Sequence, residues 1–534
     1  MTPRTAQAFV VMGAAIAVVA AALGSQGGGA SSRAARELRV DYLFSPDAEQ
    51  LLVPMIVRFN REHHRVRGHE VRIVGAALTS GEAETALAAR VRKPALWTPA
   101  SSLWGRLLDH DARARWVPSV TPSLVVSPQV IAMWKPLARA LGWPAPIGWK
   151  DILALATSSR GWAAYGHPEF DPFRLGHTNP DFSTSGLSAV ASEYYAVTGK
   201  RAGLALADIR RADVRAAVRL IEHSIVHYGK TATAFTEKMD RYGQPYAHAV
   251  YVQETQVLAF NAHRRQATRL VGIEPAEGTF VADYPLIALR APWVGRDMRA
   301  AAELFSRWIA PRITAAMAAK SGFRLRRPAH IRLLELPAPE VLAAIREGWR
   351  RDRKSANIIL VVDTSSSMGG AGRLDAAKAG LLSFLRELSP SDRVALVTSG
   401  STVTMRVRLG RPGRSSSAVA RAVRGLFANG ELPVYTAISR ALGAVRALHD
   451  PDRINAVVVL SDGAGTATGY RTLLEQIRAE PVTEGTSVRV FSVAYGDNAN
   501  DGALRRIADA SGGAFFTGRP KDIKDVYRSI ASYF

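Results

Sequence analysis

Cysteine is missing from this 534-residue chain. That excludes a disulfide framework, a thiolate metal site, a cysteine nucleophile and a lipid-modified N-terminal cysteine. Acid is scarce: 46 Asp and Glu stand against 69 Lys and Arg, a formal charge of +23, and of the basic residues 11 are lysine and 58 arginine. The arginines are scattered, as in "RVRGHEVR", "DARARW" and "IRRADVRAAVR". With no aromatic-interleaved basic stripe, no zinc-finger spacing and no basic heptad helix, nucleic acid is set aside as a partner. The charge instead suits a solvated surface near anionic lipid or wall polymer.

Catalytic patterns are also lacking. There is no G-x-S-x-G elbow, and Gly199-Lys200 and Gly229-Lys230 have Tyr194 and Ser224 where a P-loop has its earlier glycine. "EHSIVH" puts His223 and His227 four apart, the spacing of one helix face, but Ser224 stands where a zincin's glutamate follows the first histidine. His63, His64 and His69 in "REHHRVRGHE" belong to a solvated helix end. The expectation is a protein that is not an enzyme.

Long apolar runs are few. One, "AFVVMGAAIAVVAAALG" at residues 8–24, follows a short segment carrying Arg4 and precedes "GSQGGGASSRAAR". It is either a secretory signal, with Ala22-Leu23-Gly24 as the cleavage site, or a membrane anchor, and the Gly/Ser-rich stretch behind it is a tether. Export follows, to the extracellular face of the membrane or beyond it. The length calls for two or three domains, and 47% apolar content calls for globular ones.

From Leu38 to about Arg324, short apolar strands alternate with helical patterns: "LRVDYLF", "AEQLLVPMIVRFNREH", "VRIVGA", "SGEAETALAARV", "PALWTP". That is α/β order, with ligand loops expected at strand ends. "SLVVSPQVIAMW" and "AHAVYVQETQVLAFN" are predicted as two long strands crossing between lobes, with a helix-rich section, residues 135 to 248, between them. The Pro-rich "RPAHIRLLELPAPE" and a basic amphipathic helix carrying Trp349 mark a boundary. From Ala356 the βα alternation restarts and runs to the C-terminus. "VTMRVRLG" falls out of order there, as an antiparallel edge strand on a parallel sheet.

In this second unit "ANIILVV" is a buried parallel strand, and Asp363 emerges at its carboxyl end with Ser365 and Ser367 following. Taken alone, D-x-S-x-S is a hard-cation loop or an Asp N-cap in a serine-rich turn. "DFSTSGLSAVASEYYA" similarly places hydroxyls at a helix start, which is either an anion site or ordinary capping.

Residues 38–325 resemble a type 2 extracellular solute-binding protein, in "FSPDAEQLLVPMIVRFN", "PALWTPASSLW", "LVVSPQVIAMW", "HTNPDFSTSGLSAVASEYYA", "VQETQVLAFN", "EGTFVADYPLIAL" and "SGFR" taken together. The resemblance implies two α/β lobes around a cleft. Its solute would be held by Ser45, Thr79, Ser80, Ser101 and Ser102 of the first lobe, Ser183, Thr184 and Ser185 of the second, Glu254 from a crossover and Asp283 from the returning strand. "FSPDAE" departs from the Gly-Ser loop of oxyanion-binding relatives, and Asp47 and Glu49 there repel an anion.

From Ala356 onward the chain resembles a von Willebrand factor type A (VWA) domain. "DTSSSM" and the later "VVVLSDG" fit its metal-ion-dependent adhesion site (MIDAS). The resemblance implies Mg2+ (or Mn2+ or Ca2+) on Asp363, Ser365, Ser367 and Asp462, with a corner completed by a partner's acidic group. The family's threonine falls at Leu432 in "NGELPVYTAI", so Glu431 or Thr436 would have to substitute.

The layout resembles substrate-binding and VWA domain proteins of actinobacteria. The expected fold is α/β: a leader and tether at 1–35, a periplasmic-binding-protein-like two-lobed module at 36–325, a connector at 326–353 and a doubly wound, Rossmann-like VWA domain at 354–534. The expected function is metal-dependent binding of a protein or surface polymer at the cell envelope. The alternative is an extracytoplasmic solute receptor for an ABC-type transporter, tethered by its VWA domain.

Overall fold

A computed structural model describes residues 37–170, 172–370, 372–431, 434–462, 469–479, 488–496 and 501–534. The apolar block at 8–24, its tether and Leu432 lie outside the described residues. Among the described residues no helix is long and apolar enough to cross a membrane.

Three sheets organise the chain. The first runs Ile287–Ala288, Leu96–Thr98, Glu37–Phe44, His69–Ala77, Arg65–Val66. The second runs Val281–Ala282, Ser127–Trp134, Ala249–Gln253, Leu175–Thr178, Ile225–Gly229, with Leu270–Ile273 also on Ser127–Trp134. The chain passes from the first sheet to the second before Ser127 and returns between Ala282 and Ile287, so each sheet is the core of one lobe.

Two expectations need correction here. "AHAVYVQETQVLAFN" is not one crossing strand: Ala249–Gln253 is a strand inside the second lobe, and Glu254–His263 is a helix. The polar Gln253-Glu254-Thr255-Gln256 interrupts the apolar run at the junction, and Glu254 at the first helical position favours the turn into a helix. His223 and His227 do not share a helix face, because the helix Ala212–His223 ends at His223. Ser224 bonds back to the Ile221 carbonyl at 2.7 Å, and β-branched Ile225 and Val226 open the strand Ile225–Gly229.

The third sheet has the order Val403–Val407, Arg393–Ser399, Ala356–Asp363, Ile454–Ser461, Arg489–Tyr495, Ala514–Gly518. All neighbours are parallel except the edge strand Val403–Val407. Every residue of Ala356–Asp363 and Ile454–Ser461 is buried, which is why both read as largely apolar runs rich in Val and Ile. Ile358, Leu360 and Val362 face one apolar cluster, Ile359 and Val361 another, so helices cover both faces.

Between the second and third sheets the connector helix Pro339–Asp352 starts at a proline, which costs nothing at a position whose N–H lacks a helical partner. It buries Val341, Leu342, Ile345 and Trp349, at helical spacing. The third sheet's unit docks on the second lobe: Lys238 Nζ donates to the Gly512 carbonyl at 3.2 Å, Asn179 Nδ2 to that of Ser532 at 3.1 Å, and Arg241 pairs with Asp509 at 3.0 Å.

Candidate functional site: a strand-end oxygen cluster and a closed interlobe cleft

In the third sheet, counted along the chain, the strands lie in the order 3-2-1-4-5-6. The order reverses between Ala356–Asp363 and Ile454–Ser461, and such a switch point opens a crevice at the strands' carboxyl ends. Parallel register sets Val362 opposite Leu460, so Asp363 and Asp462 leave neighbouring strand tips at this crevice.

Asp363 Oδ1 accepts the Ser365 N–H at 2.9 Å, and Oδ2 accepts the Ser461 hydroxyl at 2.7 Å. The Ser365 and Ser367 hydroxyls lie 2.9 Å apart. Asp363, Ser365 and Asp462 are buried and Ser367 is half-buried. Burial pushes the Asp363 carboxyl up against the pull of its hydroxyl partners, and the Asp462 charge beside it pushes the same way. Arg373 Nη1 donates to the Ser367 carbonyl at 3.2 Å and sits 3.9 Å from Asp462 Oδ2.

The loop before the helix Val434–Arg446 is stitched to the serine loop: Asn429 N donates to the Thr364 carbonyl at 2.6 Å and Ser366 N to that of Gly430 at 2.9 Å. Gly430 has φ +77° and lies so close to Ser401 that a Cβ would fall 2.5 Å from its backbone nitrogen, so only glycine fits. Glu431 follows on this loop, and Thr436 is on the first turn of the helix; both are exposed. The structure thus gathers Asp363, Ser365, Ser367 and Asp462 at one crevice, and gives Glu431 and Thr436 no hydrogen bond to them. The donors are all hard oxygens, two of them carboxylates with like charges side by side, a set that suits a magnesium-class cation.

The interlobe cleft is closed on itself. Gly81 N, in the first turn of the first-lobe helix Ser80–Ala88, donates to the Phe182 carbonyl of the second lobe at 3.0 Å, and a Cβ at Gly81 would lie 2.0 Å from the Asp181 carbonyl oxygen. Trp104 Nε1 donates to Thr184 Oγ1 at 2.8 Å across the same seam. Residues expected to meet a solute bond to the protein instead. Ser45 and Thr79 donate to Asp47 and Glu82, Ser80 accepts from Ala100 N, and Ser185 donates to Gln129. Ser101 Oγ accepts from Leu103 N, and Ser102 N donates to Asp283 Oδ1 at 2.7 Å. Burial raises the Asp283 carboxyl while these serines pull it down. Glu254 is held by Arg324 in two bonds of 2.9 Å. Ser183 is the N-cap residue of the helix Thr184–Thr198, without a side-chain cap bond.

Three participants carry no local signal in the sequence. Gln253 joins Asp47 at 3.3 Å to the Tyr284 hydroxyl, and burial raises both Asp47 and Tyr284. Arg346, on the connector helix and 6% exposed, reaches both lobes: Nη1 to Glu84 at 3.3 Å and Asp111 at 3.6 Å, Nε to Asp181 at 3.3 Å, with its guanidinium 5.6 Å from the Trp104 ring centre.

Comparison with known proteins agrees with this division. The profile "Bacterial extracellular solute-binding protein" matches residues 21–324, more than half the chain, and "von Willebrand factor type A domain" matches residues 357–528. Uncharacterized proteins from two strains of Mycobacterium tuberculosis are 25% identical over 356 residues, covering 61% of this chain and 50% of theirs. The chain therefore spans about half the length of the curated relatives it matches. Among solved structures, the periplasmic binding protein AfuA from Actinobacillus pleuropneumoniae is 11% identical with TM-score 0.41, over 58% of this chain and 97% of that one. A von Willebrand factor type A protein from Catenulispora acidiphila is 20% identical with TM-score 0.30, over 34% of this chain and 42% of that one. The chain belongs to the bacterial extracellular solute-binding protein family, and a von Willebrand factor type A domain follows its solute-binding module.

Proposed function

We propose that this is a non-enzymatic, exported cell-envelope protein that grips a partner protein or surface polymer through a divalent cation at its VWA domain. The observation that carries the reading is the meeting of Asp363, Ser365, Ser367 and Asp462 at the switch point of the third sheet. Asp363 and Asp462 would hold the ion as charged ligands, and the two serines would complete its oxygen set. The ion, when bound, offsets the paired carboxylate charges and offers an open position to an acidic group of the partner. The residues do the rest: Ser461 and the Ser365 N–H fix the Asp363 carboxylate, and Arg373 braces the serine loop. Residues 8–24, cleaved or retained as an anchor, would deliver the molecule, and the tether behind them would give it reach.

Family membership equally supports a receptor role for an ABC-type transporter, with a small solute between the lobes. We rank that reading second, because most of the cleft's hydroxyls and carboxylates already bond to the protein and a solute must displace those bonds to enter.

Calorimetry of the full chain with magnesium or manganese tests the first reading. Binding is expected in the wild type and its loss in Asp363→Ala; absence of heat in both sinks the cation. A thermal-shift screen of oxyanions, sugars and peptides addresses the second. A solute that binds only the folded chain at a hundred times its Kd stabilises it by about 2.7 kcal/mol, and such a shift would reverse the order of the two readings.

A further inference from the structure

Away from both sites, inside the second lobe, three ionisable side chains meet where solvent does not reach. His177 on the strand Leu175–Thr178, Glu193 on the helix Thr184–Thr198 and Glu222 near the end of the helix Ala212–His223 are 0, 0 and 1% exposed. One ligand atom from each lies within 4.8 Å of the others.

Their hydrogen bonds leave a gap in charge. His177 Nδ1 is 2.7 Å from the Thr178 carbonyl, an oxygen that only accepts, so Nδ1 carries a hydrogen. In the neutral ring Nε2 then presents a lone pair, and it is aimed at Glu222 Oε1, 3.0 Å away. Glu222 Oε2 accepts the Tyr228 hydroxyl at 2.8 Å and the Trp349 indole N–H at 3.1 Å. Both Glu193 oxygens are buried and accept no N–H or hydroxyl, and the Glu193 carboxyl lies against that of Glu222 at hydrogen-bond range. None of the hydrogen bonds described for the three comes from lysine or arginine. Without a metal, two protons are needed, one on His177 and one shared between the Glu193 and Glu222 carboxyls. A single dication answers both carboxylates and the imidazole together.

We propose that His177, Glu193 and Glu222 form a binding site for a divalent transition-metal ion of the zinc type. One imidazole nitrogen and two carboxylate oxygens are donors zinc accepts, and three protein ligands leave a position for one more. The Thr178 carbonyl on Nδ1, and Tyr228 and Trp349 on Glu222, are the outer contacts that orient such ligands. The mixed nitrogen and oxygen set separates this site from the all-oxygen cluster at Asp363, which suits magnesium. Because Trp349 belongs to the connector helix, the ion ties one strand and two helices of the second lobe to the segment that leads into the VWA domain.

The test uses the full chain, stripped with chelator and titrated with zinc chloride in excess magnesium, wild type against Glu193→Gln. Calorimetry and metal content after gel filtration should show one zinc more in the wild type, held at least about tenfold more tightly than by the variant. Zinc should raise the thermal midpoint of the wild type alone. Glutamine fills the same space without charge, and His177→Gln serves if the first variant fails to fold. Asp363→Ala should keep the extra zinc, so loss of the all-oxygen site leaves this result standing. Equal zinc content in wild type and variant overturns the proposal, and a hydrogen-bonded carboxyl pair then accounts for the cluster.

Discussion

Asp392 shows what one buried charge does here. Fully buried, it accepts the Arg353 guanidinium at 2.9 Å, Ala356 N at 2.7 Å and Ser389 N at 2.8 Å. It thereby pins the end of the connector segment to the first residue of the central VWA strand. Asp392→Ala strands a buried guanidinium and two N–H groups, and should cost roughly 3–5 kcal/mol in denaturant unfolding of the full chain. A loss under about 1 kcal/mol would mean that water replaces the carboxylate. The residue scale is also where the strand-end oxygens were legible. Asp363, Ser365 and Ser367 are neighbours in the chain, and Asp462 ends a second apolar run of the same kind. Gln253, Tyr284 and Arg346 were not legible, because their partners lie tens to hundreds of residues away.

At the scale of elements, the connector helix is more than a spacer. Arg346 holds Glu84 and Asp111 of one lobe and Asp181 of the other, and Arg350 adds a 2.7 Å pair to Asp181. Arg346→Met keeps much of the packing on Trp104 and removes the charge that spans the lobes. Hydrogen exchange should then accelerate at residues 79–84 and 181–186 together, by about tenfold for each 1.4 kcal/mol lost from closure. Unchanged exchange would leave the seam to Gly81 and Trp104. The helix Glu254–His263 belongs to this scale as well. Its apolar residues Val257, Leu258 and Phe260 resume soon after an apolar strand, and packing decides their period.

Across the whole molecule, the VWA unit rests on the second lobe through a charged contact. Lys238 faces Arg489, Arg241 and Asp509, lies 5.1 Å from the Tyr533 ring centre, and donates to Gly512. Burial, then the neighbouring arginines, bring its ammonium down to about 7. In the unfolded chain a lysine titrates at about 10.4, so between these values the unfolded state binds a proton that the folded state lacks. Stability should therefore rise with pH from about 7 to about 10, and below that window the full penalty of burying the charge remains. Lys238→Met should flatten this part of the midpoint-versus-pH curve and raise the midpoint at pH 7. A parallel curve for the variant would move the titration elsewhere. Lys230 crosses the same region, reaching Glu82 of the first lobe at 2.7 Å and Ser529 of the VWA helix Ile523–Ala531 at 2.8 Å. Both lobes and the VWA unit thus meet around one side chain.

The sequence by itself determined the two α/β units, the antiparallel edge strand, and the Asp363 loop with its Asp462 counterpart. Those features follow from burial pattern and from short-range order, since a β-branched run ending in Asp can emerge only at a strand tip. Only the tertiary structure decided that the cleft closes on its own hydroxyls, that Arg346 joins its lobes, and that His177, Glu193 and Glu222 share one dry pocket. Each of those depends on contacts between distant segments, where the energy lies in how two surfaces meet and no local period or propensity records it.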